Sequence, residues 1–151
     1  PRAWLVYEAI ARENMLDPLP AEGFDPSQTV LLSIGTPGAL APGDGPGAVE
    51  VLRAGPNRMT MRVQMTAPGY LVLSEVWYPG WRATVNGVAA DVLRANHALR
   101  AVAVPAGDAI VEFWFAPPLW RYGLVAWVVG VGLVVGVLGW RRGRRFDEQN
   151  R

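Results

Sequence analysis

The stretch that decides the fold is Arg58–Thr66 (RMTMRVQMT), in which apolar and polar side chains alternate residue by residue. One face carries three methionines and Val63, and the other carries arginine, threonine and glutamine. Successive side chains of a β-strand point to opposite faces, so one face can pack on a core while the other meets solvent. The stretch therefore predicts a half-buried strand.

A hairpin is predicted downstream, where Asn86-Gly87 separates Ala83–Val85 from Val88–Ala90. Both turn residues tolerate the positive φ that a type I′ turn needs. Leu99–Val104 and Ala109–Phe115 form another predicted pair of strands. The remaining predicted strands are Trp4–Ile10, Thr29–Ser33, Ala48–Arg53 and Tyr70–Val76.

Two segments break this strand pattern. Residues 14–26 are expected to form a short helical or irregular excursion, and the Gly/Pro-rich residues 35–47 are expected to form a loop. Short strands recur every eight to twelve residues or so, with no long helical pattern between them. A mainly β fold is predicted, an antiparallel, jelly-roll-like β-sandwich over residues 1–118.

An apolar span follows the predicted sandwich. Tyr122–Trp140 (YGLVAWVVGVGLVVGVLGW) contains no charged residue, and as a helix it would measure roughly 28 Å, close to the hydrocarbon thickness of a bilayer. Because no polar stripe runs along it, a transmembrane helix over 119–140 is predicted, with the lipid bilayer as partner. A buried helix of a soluble protein is the alternative.

Charge orients the predicted span. Residues 141–151 hold five arginines against two acids, whereas residues 1–120 hold eight arginines against eleven acids. The positive-inside rule places the 141–151 tail in the cytoplasm and residues 1–120 outside the cytoplasmic membrane. Interfacial aromatics and arginines should anchor the helix at both ends. The predicted anchors are Trp120, Arg121, Tyr122, Trp140, Arg141, Arg142, Arg144 and Arg145.

Gly132 and Gly136 form a G-x-x-x-G pattern, which lets another helix approach closely. The expected partners are other transmembrane helices of the same parent protein. Position 1 is Pro and not Met, which indicates a piece of a longer protein.

Composition excludes several kinds of site. The chain has no Cys and one His, so disulfides and Cys-ligated metal centres are impossible, and no metal or other cofactor is predicted. Phosphate-loop, serine-hydrolase and zincin motifs are absent from the sequence. The fourteen basic residues are all Arg and lie scattered along the sequence, so nucleic acid is not an expected partner.

The segment Glu75–Trp81 (EVWYPGW) is the most informative candidate site. Its aromatics can form a platform on which a sugar ring stacks, with nearby polar groups as hydrogen-bond partners. Alternatively, Pro79-Gly80 makes a tight bend and the two tryptophans close the open end of a sandwich, while Asn96-His97 is a left-handed turn. The candidate glycan contacts are Trp77, Tyr78, Trp81, Glu75, Asn96 and His97.

Tyr70–Pro118 resembles the C-terminal region of bacterial YfhO-like membrane proteins. The resemblance rests on the E-x-W-Y-P-G-W box, the Asn86-Gly87 hairpin, Ala95-Asn96 and the turn at Pro105–Gly107, followed by the apolar span and the arginines of the C-terminal tail. The opening PRAWLV and the FDP segment at residues 24–26 also look like that family. The linker between Ile10 and the FDP segment is shorter than the helical insert expected there.

The resemblance implies a polytopic, GT-C-like glycosyltransferase that decorates cell-envelope polymers with sugars from a lipid-linked donor. Its catalytic acids are expected near the start of the full protein, outside this chain, so no catalytic residue is assigned and the chain by itself is expected to be inactive. Envelope glycan is a possible partner of the sandwich. A membrane-tethered β-sandwich that binds or supports without enzymatic activity is the alternative.

Overall fold

A computed structural model describes residues 2–15, 17, 24–33, 47–117 and 120–149, with side chains of the C-terminal helix described over 122–136. The chain divides into two compact units, Pro1–Ala116 and Pro117–Arg151. Gly47 is the one described residue of the predicted 35–47 loop, and much of the predicted 14–26 excursion also lies outside the described residues.

The first unit is a two-sheet β structure. Its described strands are β1 (Ala3–Val6), β2 (Glu8–Arg12), β3 (Thr29–Ser33), β4 (Ala48–Ala54), β5 (Arg58–Met65), β6 (Gly69–Val76), β7 (Trp81–Val85), β8 (Val88–Ala90), β9 (Leu93–Ala95), β10 (Leu99–Val104) and β11 (Gly107–Phe115). One sheet has six strands in the order β1-β6-β10-β9-β3-β2, and the other has five in the order β4-β5-β11-β7-β8. The mainly β prediction is confirmed.

The alternating stretch that predicts a strand forms β5, between β4 and β11. Its three methionines and Val63 are buried in a core that also holds Leu71 and Val102 of the six-stranded sheet and Phe113 of β11. The two sheets therefore pack on one another through this shared core. Alternation in the sequence predicts which side chains of β5 are buried.

Residues 69–73 of strand β6 are buried on both faces. Leu71 and Leu73 face the shared core, whereas Tyr70 and Val72 belong to a second core that also contains Val30 of β3. A strand covered on both sides reads as a continuous apolar run, and β6 contains the run YLVL. The six-stranded sheet thus covers one core with each face.

A single residue, Tyr7, links β1 to β2, yet these strands occupy opposite edges of the six-stranded sheet. Two consecutive Cα steps reach at most about 7.6 Å, so the sheet must curl until its edges approach each other. The prediction of one strand over Trp4–Ile10 is wrong because β1 pairs with β6 while β2 pairs with β3. The β2–β3 pair is parallel, so the predicted antiparallel pattern has an exception.

The predicted hairpin is confirmed. Asn86 and Gly87 have φ angles of 52° and 80° and join β7 to β8. The Asn86 side-chain oxygen accepts a hydrogen bond from the backbone N–H of Ile110 at 2.8 Å, which ties the turn to β11. The three-residue strand β9 has no counterpart among the predicted strands.

The second unit contains the helix α1 (Trp120–Gln149), which continues through most of the predicted tail. Every described side chain of α1, over residues 122–136, is exposed, Tyr122 included. A side chain placed at Gly132 or Gly136 would meet open space. Among the described residues, no helix is both long and apolar enough to cross a membrane.

The predicted span 119–140 extends beyond the described side chains of α1. The same is true of most of the predicted membrane anchors. Those outside the described side chains are Trp120, Arg121, Trp140, Arg141, Arg142, Arg144 and Arg145.

Candidate functional site

The Glu75–Trp81 box is the connection that carries the chain from one sheet to the other. It begins in β6 of the six-stranded sheet and ends at the first residue of β7 in the five-stranded sheet. Gly80 has a φ of 111°, a backbone conformation that glycine adopts without steric cost. Its carbonyl accepts a hydrogen bond from the N–H of Ala116 at 2.7 Å, which holds the bend against the end of β11.

A β-bulge sets the direction of the Glu75 side chain. Leu99 of β10 pairs with Val76, but the next residue, Arg100, pairs with Leu73. Two residues of β6, Ser74 and Glu75, are therefore skipped in the pairing. Bulges bend the strand and re-aim its side chains, and here the carboxylate meets the guanidinium of Arg100.

Glu75 bridges two arginines. Its Oε1 accepts hydrogen bonds from Nη2 and Nε of Arg2 at 2.7 and 3.0 Å, and its Oε2 accepts one from Nη2 of Arg100. Arg100 is 2% exposed, whereas the Glu75 side chain is 25% exposed. Burial lowers the pKa of the Arg100 guanidinium, and the Glu75 carboxylate opposes that shift. The bridge thus stabilises a cation inside the two-sheet domain.

The guanidinium of Arg100 also lies on an aromatic face. Its Cζ is 3.6 Å from the ring centroid of Trp81 and 5.9 Å from that of Phe113. The Trp81 ring in turn contacts Phe115, with centroids 5.4 Å apart. Cation–π contact is strongest with tryptophan and gains strength when water is excluded, so Trp81 has a packing role at the end of the domain.

Tyr78 stands apart from the other two box aromatics in exposure. Its side chain is 62% exposed, and its ring centroid lies 6.3 Å from that of Phe115. It belongs with Trp81 and Glu75 to one cluster around Arg100 and Phe115, which we call the arginine cluster.

Trp77 is held elsewhere. Its backbone N–H donates to the carbonyl of Ala98 at 2.6 Å, and its indole N–H donates to the carbonyl of Val92 at 3.0 Å. The half-buried ring lines a cleft beside the start of β9. The three aromatics of the box are therefore divided between the arginine cluster and this cleft.

Asn96 and His97 form the left-handed turn between β9 and β10, with φ angles of 40° and 72°. The Asn96 side-chain oxygen accepts a hydrogen bond from the backbone N–H of Leu31 at 2.8 Å, and the backbone N–H of Asn96 donates to the Leu31 carbonyl at 3.0 Å. His97 Nδ1 donates to the carbonyl of Met15 at 2.6 Å. These two residues tie β3 and Met15 to the turn, and Met15 lines the same cleft as Trp77.

Arg100 is the main site residue that sequence reasoning missed, although a signal for it exists. In the predicted strand Leu99–Val104, alternation places position 100 on the same face as Val102 and Val104. A charged residue on a core face needs a partner, and the acidic residue of the box supplies it. Among the described residues, no group of three or more His, Cys, Asp or Glu side chains could hold a metal ion.

Comparison with known proteins adds no relative. No family model, curated protein or solved structure matches the chain.

Proposed function

We propose that this chain is the C-terminal region of a YfhO-like integral membrane protein. In this proposal residues 1–118 are an extracytoplasmic, jelly-roll-like β-sandwich, residues 119–140 are the last transmembrane helix, and residues 141–151 are a cytoplasmic tail. The parent protein is a glycosyltransferase that uses a lipid-linked sugar and acts on cell-envelope polymers. This region serves it as an accessory part and supplies no catalytic residue.

One observation carries the membrane part of the proposal. A two-sheet β unit is followed, after Ala116, by a helix whose described side chains are all exposed from 122 to 136. Those side chains include ten large hydrophobic residues. A helix that is apolar all round favours an apolar environment, and a bilayer provides one. The side chains described, over 122–136, are too few for a span on their own, and the charge-free sequence that runs on to Trp140 supplies the remaining length of the proposed span.

The box supports the family assignment in a second way. Its residues build the crossover between the sheets, with Gly80 in the bend and Glu75 and Trp81 on the buried Arg100. A motif whose residues make this many contacts can serve as the signature of one domain type. The shared core between the sheets supports the sandwich description.

The test is the topology of the protein expressed from its natural gene. This region has no Cys, so single cysteines can report its position once any cysteine elsewhere in the parent protein is replaced by serine: Val88→Cys lies on the domain at an exposed site, and Asn150→Cys lies in the tail. A membrane-impermeant maleimide should label Val88→Cys in intact spheroplasts and Asn150→Cys only after permeabilisation. The protein should also stay in the membrane during alkaline carbonate washing.

Labelling of Asn150→Cys in intact spheroplasts, with Val88→Cys labelled only after permeabilisation, would contradict the orientation. Release of the protein by carbonate would contradict the transmembrane span. The gene upstream of Pro1 then separates the two functional classes. Many further apolar spans there support the glycosyltransferase, whereas a signal peptide close to Pro1 supports a membrane-tethered module without enzymatic activity.

A further inference from the structure

A cleft of about 440 Å³ opens at one end of the six-stranded sheet. The parallel strands β2 and β3 both end there, and β9 begins there. Its lining combines the Trp77 ring with the polar side chains of Glu13, Asn14, Ser33 and Arg94. Small-molecule sites measure about 300–1,000 Å³ and combine apolar surface with a few polar groups, so the cleft has the size and composition of such a site.

The walls of the cleft are fixed by hydrogen bonds. The Trp77 ring is held through its indole N–H on the Val92 carbonyl. Met15, which also lines the cleft, is buried, and its carbonyl is held by His97. Arg94 donates through Nε to the carbonyl of His97, which orients its guanidinium. A preformed site loses less entropy when a ligand binds.

The mixture of groups indicates the class of ligand. An aromatic ring offers an apolar face for stacking, a carboxylate accepts hydrogen bonds, and a guanidinium donates them. A neutral pyranose ring matches all three, because it has an apolar C–H face and hydroxyls that both donate and accept. Charge favours a neutral ligand, since Glu13 and Arg94 contribute one charge of each sign.

We propose that the Trp77 cleft binds a neutral pyranose unit of a glycan. Trp77 stacks on the sugar ring, Glu13 accepts hydrogen bonds from its hydroxyls, and Arg94 donates to its oxygens. This inference deepens the proposed function, because it assigns the possible glycan contact to one face of the domain and leaves the arginine cluster with a packing role.

A second depression provides a matched control. It is lined by Trp114, Arg82 and Asp91, the same three kinds of side chain, but its volume is about 200 Å³. That is below the usual size of a small-molecule site. If composition alone determined sugar binding, both places would bind equally well.

The experiment is a titration of the full chain with glucose-, galactose- and mannose-based hexasaccharides, followed by saturation-transfer NMR. The full chain is kept in detergent micelles for this titration. The detergent must have no sugar headgroup, because the headgroup of a maltoside belongs to the proposed class of ligand. At least one hexasaccharide should bind saturably. Trp77→Ala should weaken that binding about tenfold or more, whereas Trp114→Ala should leave it unchanged.

Glu13→Gln keeps the shape of an exposed side chain and tests the cleft without removing the tryptophan. It should weaken binding about threefold or more, because a charge-assisted hydrogen bond is roughly twice as strong as a neutral one. The proposal is overturned if no hexasaccharide binds saturably, if Trp114→Ala weakens binding as much as Trp77→Ala, or if Glu13→Gln has no effect. The topology test is independent of these outcomes, so either proposal can fail alone.

Discussion

Arg100 shows how a single residue can organise the end of a domain. Its guanidinium is buried between the Trp81 and Phe113 rings, and it reaches one carboxylate, that of Glu75. Its Nε and Nη1 have no hydrogen-bond partner among the described residues. Arginine suits this position because its guanidinium is weakly hydrated and stacks on aromatic faces. The Glu75 carboxylate is then the main source of compensation for the buried charge.

We predict that Glu75→Ala lowers the free energy of unfolding by about 3 kcal/mol, because it leaves a buried cation without its carboxylate. Removing one partner of a buried ion pair usually costs about 3–5 kcal/mol of stability, and the partial exposure of Glu75 places this variant at the low end of that range. Arg100→Met should lower the free energy of unfolding by less than Glu75→Ala does, since it removes the buried charge and puts an unbranched apolar side chain in its place. Urea unfolding followed by tryptophan fluorescence measures both.

Glu50→Ala is the control for this pair of variants. Glu50 accepts from Arg62 at 2.8 Å, but both side chains are more than half exposed. Exposed ion pairs contribute about 0–1 kcal/mol, so this variant should unfold almost like the parent chain. Equal losses for Glu75→Ala and Glu50→Ala would show that the buried bridge contributes no more than a surface pair.

The residue scale also shows why the candidate site was only partly predictable. The sequence places three aromatics within five positions, which favours a common platform. The bulge at Ser74-Glu75 and the bend at Gly80 instead divide them, with Trp77 at a cleft and Trp81 on Arg100. Neither the bulge nor the partner of Arg100 can be read from local alternation, because both depend on how β6 pairs with β10.

At the scale of elements, the β7–β8 hairpin depends on two consecutive residues with positive φ. A Cβ atom added at Gly87 would meet no atom within 4 Å. A substitution there therefore loses stability only through the strain of the left-handed backbone. We predict that Gly87→Ala destabilises the domain by about 1 kcal/mol, since left-handed backbone costs other residues roughly 1–2 kcal/mol. The midpoint of thermal unfolding measures the loss.

Gly87→Asn serves as the control, because asparagine visits left-handed backbone more readily than alanine. It should be less destabilising than Gly87→Ala. If the two variants unfold at the same temperature, backbone conformation is not what favours glycine at this position.

Elements with a strong local signal were predictable, and those defined by distant partners were not. The alternation of β5 and the Asn86-Gly87 turn each specify their structure within a few residues. The division of Trp4–Ile10 into β1 and β2 depends on β6 and β3, which lie far away in the sequence. The strand β9 has only three residues and is too short to show a period.

At the scale of the whole molecule, the first unit contains both of its cores. Residues from Val6 to Phe113 supply all the buried members of the two clusters. We therefore predict that cleavage between Pro117 and Trp120 releases a fragment that remains folded. The released fragment should keep its β-type circular dichroism and unfold in one cooperative transition.

The full chain in detergent is the reference for that fragment. The two should share an unfolding midpoint, within the error of the measurement, when unfolding is followed by a signal from the β unit. A fragment that shows no cooperative transition would contradict the view that the β unit is self-sufficient.

The one-residue link at Tyr7 has a consequence for synthesis on the ribosome. Strands β1 and β2 emerge first, but β6 and β9 reach each other only through β10, so the six-stranded sheet cannot be completed before Val104 has been translated. Such distant pairings slow folding, because long loops must close before contacts form. Because β1 and β2 are both edge strands of this sheet and both lie within residues 3–12, loss of that one short segment from the finished domain would remove both edges of the sheet together.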